Sequence, residues 1–270
     1  MRLNWPGFVS ADRRVYVDGP AAGCVVDRAV PRPVSRPFDF RLGIGVPLLF
    51  MALLLVLDPA AVDFHLANLF YRSGTGFIGR HNFWLEDILH HRAKHVVIAG
   101  GAVLIATFLY SLTPRGPRHW RRPLGYLVLA IGLSTGVVTP LKALTQVQCP
   151  WSLREYGGAE SYTRLLEARP PAFKPGRCWP GGHAATGFSL LALYFVLRDR
   201  RPRRARLALA FALGLGGIFA LGRIVQGAHF LSHNLWTLLL DWLICVVCYR
   251  WVLWGPGQSL SSGHTDRSGA

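Results

Sequence analysis

Uncharged apolar runs recur along this chain, separated by polar connections. Leu42–Leu57 reads LGIGVPLLFMALLLVL without a single charge. Comparable runs follow at Val96–Leu112, Leu124–Leu141, Ala184–Leu197, Leu207–Leu221 and Asn234–Val247. A helix crosses the hydrocarbon layer of a bilayer with about 20 mostly apolar residues, in a range of roughly 17–25. The pattern therefore predicts an all-α polytopic membrane protein with six transmembrane helices. The Ala184–Leu197 run is the shortest and needs its polar flank to cross.

The connections differ in charge. One set holds RDRRPRRAR (Arg198–Arg206), TPRGPRHWRRP (Thr113–Pro123) and the Arg-dotted segment before the first run. The other mixes Glu86, Asp87, Glu155, Glu160 and Glu167 among its bases. Lys and Arg in short loops mark the cytoplasmic side. Both termini are then expected in the cytoplasm, in a bacterial inner membrane, with the mixed-charge loops facing the periplasm. Charged residues are only 16% of the 270 and hydrophobic ones 51%, yet the net charge is +16. Anionic lipid headgroups account for that excess. The bases flank spans and form no single basic surface, which argues against a nucleic-acid partner.

Three parts are expected: a cytoplasmic Arg/Pro-rich tail at 1–41, a six-span membrane domain at 42–254, and a disordered tail at 255–270. The first 40 residues lack the apolar core of a cleavable signal peptide. HNFWLEDILHH, at 81–91, places Phe83, Trp84 and Ile88 on one face and predicts a helix lying in the periplasmic interface or over the bundle mouth. Cys245 and Cys248 fall inside the last run as packed thiols. Cys149 and Cys178 both fall in the long outward connection 145–182, where an oxidising compartment favours a disulfide between them.

Ionisable residues gather at one level. Lys142 ends the third run, His183 opens the fourth directly after PGG, Arg223 ends the fifth, and His229 and His233 precede the sixth. Ionisable groups beside a membrane core are costly and mark function. Lys and Arg neutralise phosphate, Arg in bidentate fashion. Gly181 and Gly182 precede a helix start whose N–H groups favour an anion. A histidine can act as nucleophile or acid. Two histidines with an anion cradle suffice for a phosphohistidine mechanism without a metal or other cofactor.

These residues resemble the three ordered motifs of the type 2 phosphatidic acid phosphatase superfamily, whose helical bundle is shared with vanadium haloperoxidases. KALTQVQCP is similar to K-x6-R-P through Lys142 and Pro150. PGGH is similar to P-S-G-H through Pro180, Gly182 and His183, and GRIVQGAHFLSH to S-R-x5-H-x3-D through Arg223 and His229. The resemblance implies an integral membrane phosphatase acting on an amphiphilic lipid phosphate: phosphatidate-like, polyprenyl (di)phosphate or lipid A. It implies His229 as nucleophile, His183 as acid to the leaving oxygen, and Lys142, Arg223 and the backbone at Gly181 and Gly182 as phosphate ligands.

The departures are specific. Cys149 stands where the motif has Arg, Gly181 and Gly222 replace Ser, and His233 replaces the Asp that orients the nucleophile. His233 is expected to accept a hydrogen bond from His229. Arg177 and Arg154 are candidates for the missing cation, with a Cys149–Cys178 bridge carrying Arg177 toward Lys142. Three alternatives stay open: phosphoryl transfer to a second lipid, a lipid-anion transporter, and a metal site built on His183, His229 and His233.

Overall fold

The computed structural model describes residues 36–80, 82–85, 92–168 and 174–255. Residues 1–35 of the expected tail at 1–41, residues 256–270 of that at 255–270, Cys24, and residues 81 and 86–91 of the expected interfacial helix lie outside them. Helix α1 (Phe40–Val56) starts where the Asp39 carboxylate accepts from the N–H groups of Arg41 and Leu42 at 2.8 and 3.2 Å, satisfying two otherwise unpaired donors. It stops before Pro59, as helices do ahead of proline. The chain then turns by 82° into α2 (Ala60–Asn68). A two-residue hairpin, β1 (Tyr71–Arg72) and β2 (Gly76–Phe77), pairs Tyr71 with Phe77. Of the expected interfacial helix, the described part is a turn at 82–85, capped by Asn82 and exposing Phe83 and Trp84.

Next come α3 (Ala93–Leu112), α4 (Arg121–Gly136) and α5 (Val138–Thr145). After a long connection follow α6 (Gly182–Phe188), α7 (Leu191–Arg198), α8 (Pro202–Val225) and α9 (Leu231–Cys248), which ends in a π turn at Tyr249–Leu253. Among the described residues four helical stretches are long and apolar enough to span a membrane, and a fifth if the bent pair α1–α2 counts as one. Six continuous spans are not found among the described residues. The run expected as the fourth divides at Ser189–Leu190 into helices of 7 and 8 residues. The Thr186 hydroxyl donates to the His183 carbonyl and Ser189 to Thr186, drawing side chains into the backbone ladder next to the break.

The core sits between α4, α6, α7, α8 and α9, with Tyr126, Phe188, Leu191, Phe195 and Tyr249 buried together. Small residues set its closest crossing: a Cβ at Gly187 would meet the Gly216 backbone at 2.5 Å, so α6 and α8 touch main chain to main chain. Cys245 and Cys248 are buried free thiols, as the sequence predicts. Helix α3 turns Val96, Ile98, Val103 and Ile105 outward, as a lipid-facing helix does. At the end away from the histidines, Arg198 donates to the Tyr249 hydroxyl at 2.6 Å and to the Pro37 carbonyl at 3.0 Å, and pairs with Asp199. That network pins the segment entering α1.

At the histidine end, aromatic rings close the bundle. Phe64, Tyr71, Phe77, Tyr156 and Phe230 pack in tilted and edge-to-face pairs at centroid distances of 4.9–5.2 Å across the α2, hairpin and loop contributions. The Tyr156 hydroxyl donates to Asn68 at 2.9 Å. This layer is the platform beneath the site.

Candidate active site

Each motif residue reaches the same end of the bundle for a local reason. Arg223 lies in the last turn of α8, and the chain folds back on that turn: the N–H groups of Ala228 and His229 both donate to the Arg223 carbonyl, at 2.9 and 3.3 Å. The reversal needs a left-handed residue, and Gly227 supplies it with φ +70. A Cβ there would also overlap the Phe77 ring. His229 is thereby set between α8 and α9, 3% exposed, while His233 lies in the first turn of α9, 5% exposed. The two rings stand 6.0 Å apart, near perpendicular.

Lys142, on α5, brings the first motif to the second. A Cβ built on Gly182 would lie 3.4 Å from the Lys142 Nζ, so the ammonium faces the opening turn of α6. His183 follows Gly182 there and is half-buried. The expected role of Gly181 as a phosphate ligand does not hold. Its N–H points inward, to the Thr237 hydroxyl at 2.8 Å and the His233 carbonyl at 3.3 Å, and is already satisfied. The Gly182 N–H remains in the first turn, where helices leave donors unpaired.

Glycine at 181 has a steric cause. A Cβ would overlap the Asn234 carboxamide oxygen, so the serine of the resembled motif has no room. That oxygen is buried and has no hydrogen-bond partner, while the Asn234 amide donates to the Phe230 carbonyl at 2.9 Å.

The expected hydrogen bond from His229 to His233 is corrected. The Nδ1 of His229 lies 2.6 Å from the main-chain carbonyl oxygen of Cys178, and the Nδ1 of His233 is buried without a partner. A carbonyl oxygen can only accept, so Nδ1 carries the proton and Nε2 the lone pair. Burial lowers the basicity of His229 well below that of a free imidazole, and the neighbouring charges of Lys142, His233 and Arg223 lower it further. The lowered basicity favours the neutral ring, with the lone pair at Nε2.

The expected disulfide between Cys149 and Cys178 is present. It does not deliver Arg177 to the site: Arg177 is exposed, and among the described residues no contact joins it to Lys142. Arg154 is spent locally, donating to the Ala159 carbonyl at 3.2 Å. The base that does reach this region is Arg80, which the motifs gave no reason to choose. The Arg80 and Arg223 guanidiniums lie 5.6 and 5.7 Å from the centroid of the same Trp151 ring. Trp151 follows Cys149 by two residues, and its N–H donates to the Gly227 carbonyl at 2.9 Å. The Gly79 N–H donates to the Val225 carbonyl at 3.2 Å, so the hairpin is stitched to α8 and holds Arg80 there. The only sequence signal was a base directly after the Gly-rich SGTGFIG turn in an outward loop.

Asp63 was also missed. It is buried in α2 and accepts from the N–H of Ser232 at 2.9 Å and from its hydroxyl. A carboxylate from another helix thus caps α9 one residue before His233. Among the described residues, no group of three or more His, Cys, Asp and Glu converges as a metal site.

Lys142 and Arg223 thus lie close enough to His229 to act on it electrostatically, Arg80 shares the Trp151 ring with Arg223, the Cys178 carbonyl holds Nδ1 of His229, and His183 opens α6 next to the Gly182 that faces Lys142. Neither curated proteins nor solved structures give a significant match to the chain. The family model described as PAP2 superfamily matches residues 123–256, a stretch that contains all three motifs and every one of these residues except Arg80 and Asp63. The chain belongs to the PAP2 superfamily.

Proposed function

We propose that this chain is an integral membrane phosphatase that hydrolyses a lipid phosphate through a phosphohistidine intermediate. Membership of the PAP2 superfamily supports a membrane-associated phosphatase acting on phosphate esters. The observation that carries the finer reading is the state of His229: buried, neutral, and held at Nδ1 so that Nε2 is the reactive nitrogen.

Nε2 attacks phosphorus, and the bond from phosphorus to the lipid oxygen breaks. His183 gives its proton to that oxygen as it leaves. Water then attacks the phosphohistidine, His183 takes a proton from the water, and inorganic phosphate departs with Nε2 restored. Lys142 and Arg223 neutralise the nonbridging oxygens, where preorganised charge stabilises the transition state most. Arg80 supplies the guanidinium that Cys149 cannot. The diacyl or prenyl chains lie in the bilayer, against the apolar faces of the spans. The substrate phosphate is approached from the periplasmic side of a bacterial inner membrane, with both termini in the cytoplasm; the arginine-dense loops support that orientation.

Phosphate release from purified protein against phosphatidate, polyprenyl diphosphate and lipid A phosphates tests the reading. It expects release from at least one lipid, loss of release in His229→Ala, and transient labelling of His229 by a substrate with radioactive phosphate. A folded wild-type protein that releases no phosphate from any of the three sinks it. Appearance of the phosphoryl group on a second lipid instead of in solution would assign phosphotransfer.

A further inference from the structure

A nucleophilic imidazole works when one nitrogen is protonated and held, leaving the other aimed at the reacting atom. In the motif that this chain resembles, the holder is a carboxylate at the position of His233. Here the contact to Nδ1 of His229 is the Cys178 carbonyl, at 2.6 Å. A main-chain carbonyl is a useful holder only if its peptide is itself immobile.

The segment that carries it is clamped along its length. Cys178 is bonded through sulfur to Cys149. The Cys178 N–H donates to the Val147 carbonyl at 3.0 Å, Gln148 Nε2 donates to the Lys174 carbonyl at 2.8 Å, and the Thr145 hydroxyl donates to the Trp179 carbonyl at 3.3 Å. At Gly176 the two backbones run so close that a Cβ would overlap the Val147 carbonyl. Residues 174–179 thus form a strap zipped to 145–149, with the bridge as its one covalent fastening. Hydrogen bonds at a partly exposed loop are individually weak and open readily; the bridge does not.

We propose that Cys178 is a positioning residue: its carbonyl, fastened by the bridge to Cys149, sets the tautomer and aim of His229 in place of the absent carboxylate. The proposal rests on His229 as the nucleophile. A neutral carbonyl orients the ring without the full negative charge that would raise its basicity, in keeping with a histidine that stays unprotonated while it sits among cations.

The test compares wild type, Cys149→Ser/Cys178→Ser, and that double variant carrying His233→Asp, all as full chains in detergent. The serine variant keeps the carbonyl but frees the strap. Its kcat is expected to fall at least about tenfold with KM within about twofold, because substrate contacts are intact while the tautomer is no longer held. His233→Asp restores a carboxylate holder and is expected to recover kcat in the serine background. Unchanged kcat in a folded serine variant overturns the proposal, as does a loss that His233→Asp does not recover. Should the serine variant fail to fold, the histidine 15N shifts of wild type decide. A His229 signal of the Nδ1–H tautomer, assigned by its loss in His229→Gln, supports the proposal, and the Nε2–H tautomer overturns it. A wild type that shows Nδ1–H at His229 but releases no phosphate from any lipid defeats the phosphatase reading and leaves the geometry standing, so the two failures are distinguishable.

Discussion

Gly181 packs directly against Asn234: a Cβ at 181 would occupy the space of the Asn234 carboxamide oxygen. The departure of PGGH from PSGH and the presence of Asn after His233 are one packing decision. Gly181→Ser is expected to destabilise the protein by about 1–3 kcal/mol, the usual cost of overpacking a filled site. Gly181→Ser/Asn234→Ala should recover most of that loss. Thermal unfolding of the single and double variants in detergent checks it, and equal melting shifts with and without Asn234→Ala would refute the coupling.

Arg80 is expected to contribute to phosphate binding, whereas Arg177 is not. Arg80→Ala should weaken inhibition by inorganic phosphate and raise KM by about tenfold, the scale of one charge-assisted contact. Arg177→Ala should change neither. Trp151→Ala should raise KM at least as much as Arg80→Ala, since the Trp151 ring packs against both guanidiniums. Steady-state kinetics of the three variants decide the matter.

The pH dependence follows from His229. Its folded basicity is depressed, so the neutral nucleophile persists as pH falls and protonates only below the ordinary imidazole range. kcat at saturating substrate is therefore expected to hold as pH drops from 7 to about 5.5, where a free histidine near 6.5 would already be mostly protonated. The substrate phosphate, with its second ionisation near pH 6, must be corrected for separately. An acid limb centred at or above about 6.5 contradicts the assignment.

How far the sequence speaks depends on the range of the interaction. Lys142, His183, Arg223 and His229 were legible because each sits in a short motif at the end of an apolar run, and the bundle brings run ends together. The disulfide was legible because both cysteines fall in one outward connection. The fourth span was not, because its division at Ser189–Leu190 arises from hydroxyls bonding back to the helix next to a close crossing with α8, which hydropathy does not register. The orienting group of His229 was invisible for a deeper reason: a main-chain carbonyl has no letter in the sequence. Arg80 and Asp63 come from segments more than 60 residues before the first motif residue or the α9 start they serve, in loops and short helices without periodic signal.

Asp63 is expected to act at a distance from the chemistry. Asp63→Ala leaves the Ser232 N–H and hydroxyl buried without their acceptor, at a cost of about 1–3 kcal/mol. The start of α9 should loosen, visible as faster amide exchange at Ser232–Asn234. Exchange unchanged from wild type would show that α9 is held by its packing alone.

Arg198 is expected to matter for stability and not for catalysis. Removing it leaves the Asp199 carboxylate without its cation in a nearly buried network at the far end of the bundle, held by the Tyr249 hydroxyl and the Arg36 N–H. Arg198→Met should cost about 3 kcal/mol, as breaking a buried pair does. The kcat of the folded fraction should match wild type, measured after correcting for active protein.

The strap has a consequence for how the protein comes into being. Cys178 trails Cys149 by 29 residues, so ribosome and translocon must deliver both to an oxidising space before the bridge can close. Until then the Cys178 carbonyl beside His229 is held by hydrogen bonds alone. On the proposed roles, a chain still in synthesis, or held where the bridge cannot form, carries a complete set of side chains but a His229 whose aim is not yet fastened, so activity is expected only after oxidation.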